Sequence, residues 1–269
     1  MLTYFIAQIL PYITVTVFII GVIYRLWRWA ASRIVHNITL SPFPQTKTEV
    51  AAIYLREIVL FNNVFKFDRP LWVGAWPMHI ALLNVIGGHV VGFYFLGKQF
   101  VYLGASEALS TYLSNLLGTV FGIILLAGLL YLLYRRIAID KVRQVSNPSD
   151  YLMLLLLISI VSLGNFMRLV PEYGMHYEPV REYFTTLILF QPAAIPEGNP
   201  FFILHLLLAQ ILIMILPFSK LMHLFGMFGM RWIENRIYKE PAPGLPNVDV
   251  AAARARGTGL PSAGSTDVA

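Results

Sequence analysis

Five stretches of this chain are long and apolar enough to cross a bilayer, which leaves the backbone few choices. About 18–20 apolar residues in helical form span the roughly 30 Å of hydrocarbon. There, every backbone N–H and C=O must be satisfied within the protein, so helices are the expected solution. The stretches are about Leu2–Leu26, Leu71–Leu96, Tyr112–Tyr134, Tyr151–Met167 and Phe201–Leu216. Of the 269 residues, 57% are hydrophobic and only 13% charged, which excludes an ordinary soluble domain. The first stretch has no basic leader region and no small-residue cleavage site. Arg25, Arg28 and Arg33 follow it, so it reads as a retained span. The expected fold class is all-α, an integral membrane five-helix bundle.

The charges orient that bundle. With the N-terminus outside, the inside segments are about residues 25–70, 135–150 and 217–269, and they carry seven, four and six Lys or Arg residues. The outside segments hold only Lys98, Arg168 and Arg181, while the long outer loop contains Glu172, Glu178, Glu182 and Glu197. The positive-inside rule therefore predicts a multi-pass protein of the cytoplasmic membrane with its C-terminus cytoplasmic. The net charge of +6 reflects this topology, and no motif points to nucleic acid. Cysteine is absent, which excludes all-cysteine iron–sulfur clusters, covalent c-type haem and disulfides within the chain.

Between the spans, the inside loop opens irregularly around Pro42 and Pro44. Val50, Ile53, Tyr54, Ile58, Phe61 and Phe65 then recur near helical spacing, which suggests an amphipathic helix at the inner interface or against a partner. An ordinary surface helix packed on the bundle is the alternative. Pro70 marks the start of the second span, and Trp72 and Trp76 suit the inner interface. Gly118 and Gly122 form a G-x-x-x-G pattern that points to helix packing. Ser159, Ser162, Gly164 and Asn165 make the fourth span polar enough for hydrogen bonds across the bundle. The outer loop is expected to hold a short surface helix around Val180–Leu189. Residues 1–240 read as the membrane domain, and 241–269, small and polar, as a flexible cytoplasmic tail.

Four histidines carry the chemistry. His79 and His89 lie in the second apolar stretch, and His205 and His223 in or just after the last one. Imidazole in hydrocarbon is costly without a partner, so such residues mark function by default. Two pairs suggest two bis-histidine haems, since neutral imidazole is a common axial ligand of haem iron. Ten residues place His79 and His89 about 15 Å apart along a helix, and eighteen place His205 and His223 about 27 Å apart on one stripe. The antiparallel topology pairs His89 with His205 on the outer side and His79 with His223 on the inner side. A break at Pro217 would absorb the unequal spacings. Gly87 and Gly88 remove side chains beside His89, allowing a flat macrocycle or a neighbouring helix to approach. His36 and His176 lie in loops and read as surface histidines.

The pair H-x9-H in one span and H-x17-H in a later one resembles the gamma subunit of respiratory nitrate reductase, a five-helix dihaem cytochrome b family. The run Pro217-Phe218-Ser219-Lys220-Leu221-Met222-His223 is similar to the DsrM-type membrane subunit of sulfite-reduction-associated redox complexes. The resemblance covers about residues 2–235, and the long inside loop before His79 departs from the nitrate-reductase form. It implies two haem b groups held by His79, His89, His205 and His223. It also implies electron exchange with menaquinone or ubiquinone, with menaquinone favoured, in a quinol-oxidising or quinone-reducing subunit of a larger oxidoreductase. A cytoplasmic iron–sulfur subunit would be the partner, Cys-rich and disulfide-reductase-like in the DsrM-type case, where the chemistry belongs to sulfur metabolism. Further membrane subunits would complete the complex. Such families place a quinone site beside the outer haem, for which Gly88, His89 and Lys98 are the candidates. Lys98 would otherwise extend to the interface. A histidine proton relay in a transporter and a plain membrane anchor are the competing classes. The chain shows no internal repeat of the transporter kind, and an anchor has no use for four such histidines.

Overall fold

Each of the five apolar stretches is helical, and four of the helices begin on a side chain suited to the task. The computed structural model describes residues 1–32, 44, 46–95, 98–191 and 199–234. His36, Glu197 and the 241–269 tail lie outside the described residues. In chain order the helices are α1 (Leu2–Ala31), α2 (Lys47–Leu60), α3 (Asn62–Phe67), α4 (Arg69–Phe95) and α5 (Glu107–Ala138). They continue as α6 (Asp140–Gln144), α7 (Pro148–Leu169), α8 (Tyr177–Ile188), α9 (Pro200–Ile215) and α10 (His223–Glu234). Every regular element among the described residues is helical. The helices α1, α4, α5 and α7, and α9 together with the 3-10 turn Leu216–Phe218 that follows it, contain the five windows apolar enough to cross a membrane, so the protein is a multi-pass membrane protein.

The caps explain where the spans start. Asp68 accepts from Leu71 N at the head of α4 (2.8 Å), and Ser106 accepts from Leu109 N at the head of α5. Asn147 and Asp150 form a capping box around Pro148 at α7, and Asn199 accepts from Phe201 and Phe202 at α9. Each satisfies N–H groups that would otherwise enter the apolar layer bare.

The chain divides into two compact units, Met1–Val22 with Phe61–Ser219, and Ile23–Leu60 with Lys220–Ala269. In the first, α4 packs on α5, α5 on α7, and α7 on α9. Lipid supplies little hydrophobic drive between helices, so small residues and hydrogen bonds set these contacts. Gly128 faces Met78 and Gly74 faces Tyr131, whose hydroxyl donates to Pro70 O (2.8 Å). The G-x-x-x-G of α5 meets α7: Asn165 Nδ2 donates to Gly122 O (2.9 Å), and the Arg168 guanidinium lies over Gly118. Of the polar residues anticipated in this span, Ser159 instead bonds its own helix at Leu155 O.

A π turn at Phe5–Ile9 opens the first turns of α1 and frees carbonyls for partners from elsewhere. Gln210 on α9 donates to Ile6 O (3.0 Å), and Tyr183 on α8 donates to Ala7 O (2.6 Å). Tyr183 is fully buried, and burial, reinforced by Tyr12, pushes its phenol well above the ordinary range. It is therefore a lasting donor. The anticipated helix of the outer loop is thus docked rather than loose, since Tyr12 also donates to Leu187 O (2.9 Å).

In the second unit, α2 packs on α10. Arg231 faces Glu57 at 3.6 Å, and Tyr54 donates to Phe228 O at 2.7 Å. The segment expected to run from about residue 46 to 67 as one helix is broken at Phe61, whose φ of 51° is left-handed.

Candidate functional site

All four candidate histidines share one local arrangement. His79 Nδ1 lies 2.7 Å from Ala75 O and His89 Nδ1 2.7 Å from Val85 O, each the carbonyl four residues back on α4. His205 on α9 reaches across to Ile160 O on α7 at 3.0 Å, and His223 to Lys220 O at 3.0 Å. A carbonyl only accepts, so Nδ1 carries the hydrogen in each case and the lone pair of the neutral ring sits on Nε2. A carbonyl-anchored Nδ1–H is the usual second support of a metal-ligating imidazole, fixing both tautomer and orientation.

The structure brings His89 and His205 together. Their ring centroids are 6.4 Å apart with planes only 14° from parallel. Imidazoles ligating one metal from opposite sides, each with nitrogen about 2 Å from it and its centroid about 1 Å behind, stand about 6 Å apart. The observed centroid separation matches that spacing. Gly164 on α7 keeps the neighbourhood open, since a Cβ there would stand 3.3 Å from His205 Cε1. A Cβ at Gly87 or Gly88 would meet nothing within 4 Å, which leaves room on that side of α4. Among the described residues no group of three or more His, Cys, Asp or Glu converges on a metal position, and a pair of axial ligands requires only two.

His79 lies within α4, the helix of its predicted span, and His223 lies past the break expected at Pro217. His79 follows Pro77 by one turn fraction inside α4, and the Phe61 ring stands edge-on to it at 5.0 Å. His223 lies outside the last span: α9 ends at Ile215, two 3-10 turns follow (Leu216–Phe218 and Lys220–Met222), and His223 opens α10. Pro217 cannot donate to the helix, and Ser219 is extended with ψ of 176°, so the run breaks there. The stretch from His205 to His223 is therefore not one continuous α-helix. His79 belongs to the first compact unit and His223 to the second.

Lys98, a candidate for quinone contact, is ion-paired with Glu107 at 2.9 Å, and both side chains are exposed. His176 precedes α8 as an exposed residue whose side chain makes no capping bond. Sequence reasoning passed over Gln210, whose signal was a lone amide in the run ILHLLLAQILIMI; Thr14 donates to its carbonyl at 3.4 Å. It also passed over two ion pairs, Asp68 with Arg135 at 2.7 Å and Asp150 with Arg136 at 3.4 Å, which tie together the ends of α4, α5 and α7.

Comparison with known proteins adds an independent line. The sequence profile of the nitrate reductase gamma subunit matches residues 63–238. The chain is 31% identical to an Hdr-like menaquinol oxidoreductase cytochrome b-like subunit of Archaeoglobus fulgidus, covering 82% of this chain and 76% of that one. It is 29% identical to the nitrate reductase gamma chain of Bacillus subtilis, over 81% of this chain and 89% of the relative. With the respiratory nitrate reductase 2 gamma chain of Escherichia coli the identity is 24%, over 84% and 91%.

Proposed function

Because the chain belongs to the nitrate reductase gamma subunit family, we propose that it is a dihaem cytochrome b. It would carry electrons between the menaquinol pool and a cytoplasmic iron–sulfur partner. The observation that carries this reading is the His89–His205 pair, near-parallel at 6.4 Å with both Nδ1 atoms anchored on carbonyls. His89 and His205 would hold the outer haem b, and His79 and His223 the inner one. Haem, when bound, supplies one-electron iron redox chemistry.

The chain's own contribution is positional. The carbonyls of Ala75, Val85, Ile160 and Lys220 hold Nε2 as the presented atom at all four positions. His205 is half-buried where α9 meets α7, and His89 stands exposed on α4 beside it. The 17 Lys and Arg residues on one side against three on the other support an N-terminus outside and a C-terminus in the cytoplasm. Quinol oxidised beside His89 would then leave its protons outside, with Gly88 and Lys98 as the nearest candidate contacts. The reverse direction uses the same path.

Menaquinol is named in the Archaeoglobus relative, and this favours the DsrM-type reading with a Cys-rich, disulfide-reductase-like partner. The gamma chain of a nitrate reductase is the second reading, favoured by the Bacillus relative. Adding menaquinol to the purified, oxidised protein tests the function: a b-type reduced spectrum is expected, and no spectral change would contradict it. For the partner, cross-linking from residues 46–67 in native membranes should capture an iron–sulfur protein. Capture of lipid alone there, with the partner cross-linked only through the 168–200 loop, would reverse the proposed docking side.

A further inference from the structure

Helix α2 has three distinct sides. On a wheel of 100° per residue, Val50, Ile53, Tyr54, Glu57 and Ile58 gather on one side and are partly buried. That side is packed: Tyr54 donates to Phe228 O at 2.7 Å, and Glu57 pairs with Arg231 at 3.6 Å. Ala51, Ala52, Leu55 and Val59 form a second side, an exposed apolar strip on which Leu55 is 65% exposed. Glu49 and Arg56 lie together on the third side, about 100° further round, and are exposed as well. A lone exposed leucine needs no explanation. An apolar strip beside a charged one is the pattern of a helix lying in the plane of a membrane interface.

The compact unit to which α2 belongs ties it to the end of a membrane span. Within that unit α2 packs on α10, and α10 packs on the last turns of α1, where a Cβ at Gly226 would stand 3.3 Å from the Trp29 ring. Tyr24, Trp27 and Trp29, with Arg25 and Arg28 among them, mark this end of α1 as the level of the lipid headgroups. Ile23 and Trp27 are 61% and 62% exposed, so the bilayer-facing surface of the span runs into this unit. Helix α2 thus stands two helix contacts from an interfacial tryptophan, each contact about 8–10 Å between axes. The charges agree with that level. Arg231 also pairs with Glu234 at 3.2 Å. Outside this cluster, the described residues of the unit carry Arg25, Arg28, Lys47, Arg56 and Lys220 against Glu49, a balance that suits anionic phospholipid.

We propose that α2 is an in-plane interfacial helix, with Ala51, Ala52, Leu55 and Val59 embedded among phospholipid acyl chains at the Trp-bearing end of α1. The inference does not depend on the haem reading. Helix α2 also lies ahead of residues 63–238, where the family profile matches, so nothing in that match assigns it this contact. The side with Glu49 and Arg56 stays in water, which leaves it, and not the apolar strip, for the partner docking proposed above.

The chain has no cysteine, so a single introduced one is labelled uniquely. Full-length Ala52→Cys, Leu55→Cys, Glu49→Cys and Arg56→Cys proteins, each carrying a nitroxide, are placed in nanodiscs of mixed zwitterionic and anionic phospholipid. EPR power saturation compares collisions with oxygen, which concentrates in hydrocarbon, and with a water-soluble nickel chelate. Labels at positions 52 and 55 should meet oxygen several-fold more readily than the chelate, and labels at 49 and 56 should show the reverse. Preference for the chelate at 52 and 55 would overturn the proposal, since the strip would then stand in water. Low accessibility to both reagents there would overturn it too, because another segment of this chain or a second copy would then cover the strip. Equal ratios at all four positions would exclude a sided helix and the proposal with it. If Leu55→Cys does not accumulate, Ala52→Cys, a small change at an exposed position, decides by the same criteria.

Discussion

Replacing His89 or His205 with alanine should each remove the same haem, lowering the content from two per chain to one. The two imidazoles lie with planes 14° apart and centroids 6.4 Å apart, so either substitution would take away half of one proposed axial pair. The neighbouring helices are expected to remain. His89 bonds its own helix through Nδ1, at Val85 O, and an alanine there leaves the helix ladder of α4 intact. His205→Ala additionally leaves Ile160 O without its side-chain donor, a loss of about 1 kcal/mol. That variant should therefore be the less stable of the two. His79→Ala and His223→Ala should remove the other haem. Redox titration of the four variants resolves the components. If the His79 and His89 variants lost the same component, the assignment by depth would be wrong.

Asp68→Ala should produce the largest loss of stability among substitutions away from the histidines, about 3 kcal/mol. Arg135, paired with Asp68 at 2.7 Å, has a side chain only 8% exposed, whereas that of Asp68 is 39% exposed. Removing one partner of a buried pair costs about 3–5 kcal/mol because the other charge is stranded, and partial exposure moves this toward the lower end. Asp68 also caps α4 through Leu71 N, a loss of about 1 kcal/mol in its own right. Thermal unfolding in detergent measures the sum. Asp68→Asn keeps a capping side chain and should recover part of it. The double variant Asp68→Leu with Arg135→Met removes both charges and should lose less than Asp68→Ala. A double variant as unstable as the single one would assign the loss to the cap.

The parts of this protein that depend on local pattern were readable from its residues, and those that depend on distant contacts were not. Apolar runs announce spans because hydrocarbon admits little else. The histidines stand out because imidazole in such runs is costly. The helix of the outer loop was visible through its periodicity, but not the burial of Tyr183 against a π turn 176 residues away. The Ile160 carbonyl that orients His205 lies 45 residues earlier, and no spacing rule reports it. His223 was expected in or just after the last apolar run. Pro217 signalled a break, and the consequence is a helix that restarts at His223 itself. The turn at Phe61 had no signal at all, since the chain places phenylalanine where glycine is the usual residue.

The central claim is that the four histidines hold two haems, and pyridine haemochrome analysis of the purified chain from haem-replete cells tests it most directly. The account predicts close to two b-type haems per polypeptide. A correctly folded preparation with none would contradict it.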